Sequence, residues 1–216
     1  MKYIFSPDSP FMQLLMKFAE LMFLNFLWIL GCVPIFTIGV STASMYQILI
    51  AWRNKKHEPL LSSFWKAYKQ NFKKGVPLFL AVALILLLAA ADVLIIVTFL
   101  SDSPLLLKIL MLLPFILTVP AMCYVFPLQA QFENSVINTL KNAWIMSGMY
   151  LATSLCVVAA NLIPVIVLLM GTELFLRCVP IWVCFGGSGI AALSIAFLHP
   201  VFLNYFPSEE ETNKEE

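Results

Sequence analysis

The chain of 216 residues is 61% hydrophobic and only 12% charged, with a formal net charge of +1. Soluble domains average about 45–50% apolar and about 25% charged residues, so a soluble globular protein is excluded. A disordered chain is excluded as well, because it would be poor in large apolar side chains. The composition predicts an all-α integral membrane protein, a bundle of about six transmembrane helices that forms one domain over residues 1–208.

The first long apolar stretch predicts two membrane helices with a tight break between them. Residues 21–52 carry no charge, and this run is too long for one simple crossing because about 20 residues span a bilayer. The segment at 33–39 contains a proline and a glycine, which interrupt helices. We therefore expect helices at about 14–33 and about 38–52, with the second continuing past Arg53. The alternative is one kinked helix, which gives five crossings.

Four further apolar runs are each long enough to cross a bilayer. They cover residues 75–101, 109–132, 142–172 and 178–208. Asp92 is the only Asp, Glu, Lys or Arg within these runs. The acidic residues at 209–216 predict a disordered tail.

The segment between the second and third predicted spans is strongly basic. Residues 53–74 carry seven lysine or arginine side chains against one carboxylate, so the positive-inside rule places this segment and both termini in the cytoplasm. Its spacing predicts an amphipathic helix at the membrane interface, with rings among the headgroups and amines toward anionic lipid. The alternative is a docking surface for a protein partner. The aromatic stripe consists of Phe64, Trp65, Tyr68 and Phe72, and the basic face of Lys66, Lys69 and Lys73.

A weak internal repeat relates two cytoplasmic segments, 63–72 and 135–144, at a spacing of 72 residues. A serine, a lysine and an aromatic residue recur in register, and each segment lies between two apolar runs. Duplication of a unit of helix, cytoplasmic amphipathic helix and helix would explain the similarity, as in many transporters. The alternative is chance similarity between two amphipathic helices.

Four segments carry a resemblance to a known family: residues 6–13, 24–43, 64–73 and 139–144. The most specific is Asn25 to Ala43. Together they resemble the YesL-like family of bacterial multi-pass membrane proteins of unknown function. The resemblance implies a cell-membrane protein, found mainly in Gram-positive bacteria and often encoded beside carbohydrate ABC-transporter genes. It implies no catalytic residue.

Three polar residues at predicted membrane depth form a candidate intramembrane site, since such residues are costly and often functional. Asp92, in the outer half of its helix, is a candidate ligand for a cation or a sugar hydroxyl; the alternative is a position at the outer interface. Asn25 is a candidate member of this site; the alternative is that it forms a hydrogen bond between two helices. Asn161 lies near Pro164, where a kink would expose backbone carbonyls.

Motifs for catalysis are absent from the sequence. It has no His-Glu-x-x-His, Gly-x-Ser-x-Gly or phosphate-binding loop, so neither an enzyme nor a cofactor is expected, and no nucleic-acid-binding fold accompanies the basic segment. The leading hypothesis is a non-enzymatic accessory component of carbohydrate uptake, in contact with the lipid bilayer and with ABC-transporter permease subunits. The alternative is a small transporter or solute-binding membrane protein that uses Asp92, Asn25 and Asn161. An intramembrane enzyme is the third hypothesis, and the oligomeric state stays open.

Overall fold

All regular structure in the described part of the chain is helical. The computed structural model describes residues 9–56, 58–100 and 103–205, so the predicted tail at 209–216 lies outside the described residues. A 3₁₀ turn occupies Ile35–Thr37, and a π-helical turn occupies Trp182–Gly186. The α-helices are α1 (Pro10–Cys32), α2 (Ile38–Arg53), α3 (Leu60–Phe99), α4 (Leu105–Gln131), α5 (Val136–Met149), α6 (Leu151–Leu169), α7 (Thr172–Ile181) and α8 (Gly187–Leu203).

Six helical stretches within these residues are long and apolar enough to cross a membrane. The last of them joins α7, the π turn and α8 into one span. The predicted all-α bundle of about six membrane helices is therefore confirmed. The stretches are Phe11–Gly31, Ile35–Arg53, Leu60–Phe99, Leu105–Gln131, Leu151–Leu169 and Thr172–Leu203.

A tight turn joins α1 and α2 into an antiparallel hairpin, so the alternative of one kinked helix is wrong. The Thr37 hydroxyl donates to the Gly31 carbonyl oxygen at 2.8 Å. Further along the pair, Trp28 Nε1 donates to Thr42 Oγ1 at 3.1 Å, and the Ser41 hydroxyl donates to the Trp28 carbonyl oxygen at 2.8 Å. These bonds set the register in which the two helices face each other.

The second helix ends at Arg53, so the expected extension past this residue is wrong. Lys56 N donates to the Ala51 carbonyl oxygen at 2.9 Å, and Lys55 N donates to the Trp52 carbonyl oxygen at 3.0 Å. This pair of hydrogen bonds is typical of the C-terminal ends of α-helices. Lys55 has a φ of 59°, the left-handed conformation that usually requires glycine.

The basic segment after α2 is not a separate amphipathic helix. Leu60 begins one helix of 40 residues that ends at Phe99, and about 1.5 Å per residue makes it about 60 Å long, twice the hydrocarbon thickness. Pro77 lies inside this helix without ending it. Packing on α2 holds the helix here: a Cβ on Gly75 would lie 2.8 Å from Val40 Cα. The predicted amphipathic helix is therefore the first part of the third span.

The second predicted amphipathic segment forms a helix of its own, α5. The Ser135 hydroxyl accepts a hydrogen bond from Asn138 N at 3.3 Å and caps the start of the helix. The helix ends at Tyr150, which has φ −116° and ψ 57°. A hydrogen bond with Tyr150 is the main cause that raises the pKa of Tyr205, an exposed residue just after α8. The break thus lies beside the end of the last span.

The centre of the bundle is α2, which contacts α1, α3, α4 and α8. On its far side α4 packs on α6, where the fully buried Tyr124 hydroxyl lies 2.9 Å from the Ser154 hydroxyl. Two clefts open beside α2, one against α3 and one between α1 and α8. Both are lined in part by charged side chains.

Candidate functional site

Asn25 on α1 is fully buried, and backbone groups occupy both ends of its amide. Its Nδ2 donates to the carbonyl oxygens of Val183 at 2.7 Å and Trp182 at 3.3 Å. Its Oδ1 accepts from Ser188 N at 2.8 Å. These partners lie in the π turn and at the start of α8, where regular α-helical hydrogen bonding is interrupted. Asn25 therefore joins α1 to the last span and satisfies polar groups at the interruption.

Asn161 on α6 is half-buried and also links two helices. Its Nδ2 donates to the Val157 carbonyl oxygen at 2.9 Å and to Ser194 Oγ on α8 at 3.3 Å. Pro164 lies inside α6, less than one turn further on. The contact with α8 is the kind of interhelical hydrogen bond that membrane helices use in packing.

Asp92 lies near the C-terminal end of α3 and is half-buried. It makes no hydrogen bond or ion pair with the described residues. Its neighbours Ala91 and Val93 are both exposed on the helix surface. The carboxylate therefore lies at the apolar surface of the bundle without a polar partner among the described residues.

The structure does not join the three predicted polar residues into one site. Asn25 and Asn161 both reach α8, at Ser188 and Ser194, which are about 9 Å apart along the helix axis. Asp92 bonds to neither asparagine. The two asparagines thus act at separate helix contacts.

The first turns of α3 present an exposed aromatic and basic surface, which we call the α3 face. Its two rings are 39% and 43% exposed, in chain order, and its three lysines are exposed beside them. The α3 face consists of Trp65, Lys66, Lys69, Phe72 and Lys73.

Two further aromatic residues support the α3 face from beneath. Phe64 is fully buried in the core. Tyr68 is half-buried, and its hydroxyl donates to the Gly31 carbonyl oxygen at 3.2 Å. The Tyr68 ring centroid lies 5.3 Å from that of Trp65 and 6.3 Å from that of Phe72. The exposed rings of Trp65 and Phe72 therefore pack against the ring of Tyr68, which its hydrogen bond anchors.

Three amide side chains connect α2, α3 and α4 next to the α3 face. Asn71 Nδ2 donates to Gln47 Oε1 at 2.8 Å, and Gln129 Nε2 donates to Asn71 Oδ1 at 3.2 Å. Gln129 Oε1 is buried and has no hydrogen-bond partner among the described residues. An unsatisfied buried acceptor costs about 1–3 kcal/mol.

Sequence reasoning missed these three amides. Gln47 and Gln129 lie inside apolar runs without charges, which is the property that selected Asn25 and Asn161. A search for every amide within such runs would have found both glutamines. Asn71 lies within the basic segment, among lysines. The sequence around it therefore gives no indication that it is buried.

A polar cleft of about 250 Å³ opens between α2 and α3 beside this network. Its charged groups are Lys56, Glu58 and Lys66. Its amides are Gln47 and Gln70, whose Nε2 and Oε1 atoms lie 3.5 Å apart. Typical small-molecule pockets measure about 300–1,000 Å³, so this cleft has room for only a small polar solute.

The part of the chain from the middle of α1 to near the end of α3 matches a known protein family. Residues 21–93 match a family described as protein of unknown function, DUF624. The match covers about a third of the chain and supports the resemblance to the YesL-like family over these residues. No curated protein and no solved structure matches the chain. The matched part includes the α3 face and the cleft between α2 and α3.

Proposed function

We propose that the protein is a non-enzymatic accessory component of a bacterial cell membrane, which binds a membrane partner through the α3 face. The resemblance to the YesL-like family supports carbohydrate uptake as the setting. The partner in this proposal is a permease subunit of a carbohydrate ABC transporter. The protein itself contributes a docking surface and carries out no reaction.

The observation that carries this proposal is the exposure of two large rings among three lysines on an anchored helix. Aromatic side chains are enriched among the residues that dominate binding energy at interfaces. Trp65 and Phe72 contact the anchored Tyr68 ring, so little side-chain freedom is lost when a partner binds. The lysines add attraction to an acidic partner surface.

The polar groups inside the membrane region favour this proposal over a transport path. The side-chain amides of Asn25 and Asn161 donate hydrogen bonds to neighbouring helical segments. Side chains engaged in this way hold helices together. A solute would have to displace these bonds in order to use them.

The internal repeat supplies a matched control for the test. The double variant Lys69→Gln with Phe72→Ala changes the α3 face. Its counterpart, Lys141→Gln with Trp144→Ala, changes the positions 72 residues further on, which are also exposed. The measurement is capture of purified permease subunits by the full-length protein in nanodiscs.

Loss of one interface hot spot costs at least about 2 kcal/mol, so we expect capture to weaken more than about tenfold in the first double variant and to stay unchanged in the second. Equal weakening in both variants would assign the effect to general membrane contact. Undiminished capture by the first variant would contradict the docking role of the α3 face.

The orientation in this proposal places both termini in the cytoplasm. The support is the excess of lysine and arginine between residues 53 and 74. Single cysteines at positions 2, 56 and 212 in a cysteine-free chain test it. We expect impermeant maleimide to label none of them from outside. External labelling at any one position contradicts the orientation.

A solute-binding role is the second candidate, favoured by the cleft between α2 and α3. Its mixture of ammonium, carboxylate and amide groups suits a small polyhydroxylated or zwitterionic solute. Calorimetric titration with monosaccharides and amino acids tests this role. Glu58→Gln should abolish binding, while Glu133→Gln, an exposed carboxylate outside the cleft, should preserve it. Absence of binding heat with every probe would remove this candidate.

A further inference from the structure

A second cleft lies between the first half of α1, the end of α2 and the middle of α8, with a volume of about 410 Å³. Its rim is formed by the exposed side chains of Lys17, Glu20, Arg53 and Lys55. Three cations and one carboxylate give the rim a net charge of +2. Its floor is apolar and more buried, and consists of Leu21, Leu49, Ala192 and Ile195.

The charged groups of this rim lie at one level of the bundle. The bonds of Trp28 with Ser41 and Thr42 fix the antiparallel register of α1 and α2. Continued toward the start of α1, this register brings Lys17 beside Arg53. Lysine and arginine near the ends of membrane helices extend to the headgroup region. The cleft therefore opens where the helices meet the headgroups.

Lys55 occupies an unfavourable backbone conformation at the same place. Its φ of 59° costs a residue with a side chain about 1–2 kcal/mol relative to the right-handed region. Glycine usually fills this position at the end of a helix. Strained positions of this kind concentrate at functional sites. The position of the lysine adds a third cation to the rim, beside Arg53.

We propose that this cleft binds the phosphate group of an anionic phospholipid, with the first part of an acyl chain on the apolar floor. Basic pockets between membrane helices bind such headgroups. A soluble phosphate ester would use the same cations but gain nothing from the apolar floor. The site is separate from the α3 face, so it stands or falls independently of the proposed docking role.

The test uses the full-length protein, delipidated in detergent, and native mass spectrometry to count bound lipids. The probes are phosphatidylglycerol, phosphatidylcholine and glycerol 3-phosphate. One basic side chain near an anionic surface is worth about a fivefold gain in affinity, so we expect phosphatidylglycerol to bind at least tenfold tighter than phosphatidylcholine. Equal affinity of the two lipids overturns the proposal. Full displacement of phosphatidylglycerol by millimolar glycerol 3-phosphate overturns it too, and assigns the cleft to a soluble anion.

Charge-removing variants locate the binding to this rim. The triple variant Lys17→Gln, Arg53→Gln, Lys55→Gln should weaken phosphatidylglycerol binding roughly a hundredfold at about fivefold per charge. Glu20→Gln should strengthen it several-fold, because the opposing carboxylate is lost. The matched control removes three cations elsewhere, Lys108, Lys141 and Arg177, which do not line the cleft, and should change binding less than twofold. Equal weakening in the two triple variants overturns the proposal.

One variant separates lipid binding from folding. Lys55→Gly removes both the ammonium group and the backbone strain. We expect the lipid-free protein to unfold at a higher temperature and yet to bind phosphatidylglycerol about fivefold more weakly. Weaker binding in a more stable protein cannot result from misfolding. Unchanged binding in this variant removes Lys55 from the site and contradicts the proposal.

Discussion

The first turns of α3 and the helix α5 share several buried positions, yet α3 continues into the apolar stretch and α5 stops. Counted with the spacing of 72 residues, four pairs of positions in and just beyond the two segments are buried in both copies, whereas the counterparts of Phe64, Leu78 and Met146 are half-buried. The shared register supports the duplication that the sequence predicts. The buried pairs are Ala67 and Thr139, Asn71 and Ala143, Gly75 and Ser147, and Val82 and Ser154.

The two segments differ at the residues that face the neighbouring helices. Gly75 lets α3 approach the Val40 backbone, whereas its counterpart Ser147 carries a side chain. The counterpart of Val82 in the second segment is Ser154. Its hydroxyl lies 2.9 Å from the Ser147 carbonyl oxygen and 3.0 Å from the Tyr150 carbonyl oxygen. With its single proton it donates to one of them at a time.

The comparison shows that the register of buried residues does not decide whether a helix continues. Close contact with α2 holds α3 together through Pro77. A buried hydroxyl instead stabilises the break after α5, because it bonds carbonyl groups at the interruption. Exchanging residues between the two segments therefore tests the explanation.

The largest effect is expected for Gly75→Ser, which places the residue of the second segment into the first. A Cβ here meets the Val40 backbone at 2.8 Å, so α2 and α3 must separate, and we expect a loss of about 3 kcal/mol in the free energy of unfolding. Denaturation in detergent measures it. Gly148→Ala is the control: its Cβ meets nothing within 4 Å, so the change should stabilise α5 by about 0.5–1 kcal/mol. Similar losses in both variants would contradict the close-contact explanation.

Removing the hydroxyl at the break should have the second largest effect. Ser154→Ala leaves the Tyr124 hydroxyl and a carbonyl group unpaired in the core, and we expect a loss of about 2 kcal/mol. Thr98→Val serves as control, because its hydroxyl bonds the Leu94 carbonyl oxygen on an exposed surface. The control should remain within about 0.5 kcal/mol of the unchanged protein. A silent Ser154→Ala would mean that the hydroxyl does not stabilise the break.

The amide network distinguishes the two segments, since the counterpart of Asn71 is Ala143. Asn71→Ala should cost about 1–2 kcal/mol, because the Gln47 and Gln129 amides each lose a partner. Gln129→Leu should cost less, since it also removes the buried acceptor that has no partner in the described residues. The same denaturation experiment ranks them. The reverse order would place the main bond of the network at Gln129.

The smallest difference is expected at the starts of the two helices. Ser135→Ala removes the cap of α5 and should cost about 0.5–1 kcal/mol. Its counterpart Ser63 lies inside α3 and donates to Glu58 Oε2 at 3.1 Å on the surface. Ser63→Ala should therefore change stability by less than about 0.5 kcal/mol. Equal effects would show that the two serines have the same role.

Apolar runs predicted the spans well and the helix boundaries poorly. The helix expected at about 38–52 is Ile38–Arg53, and the apolar run at 109–132 lies in the helix Leu105–Gln131. The continuity of the predicted amphipathic helix with the third span was missed, although lysine is a good helix former. Charges end the apolar part of a span without ending the helix. The break at Tyr150 was missed because it lies inside a continuous apolar run.

The candidate site was less predictable, because polar contacts depend on which helices become neighbours. Asn25 stands out in its run, but its partners lie about 160 residues further on. Lys55 could be recognised as part of the basic segment, whereas its left-handed backbone could not. The sequence therefore identified polar residues within the apolar runs, and only the packing of the helices showed which groups they contact.

At the π turn Trp182–Gly186 the last span is one residue longer than a regular α-helix would be. Such a turn holds one residue more than an α-helical turn, so loss of one residue within it would restore a regular helix and rotate α7 by about 100° relative to α8. Asn25 would then lose the backbone groups that it bonds. We expect homologous chains that are one residue shorter at this point to carry an apolar residue in place of Asn25, so that the two changes are inherited together.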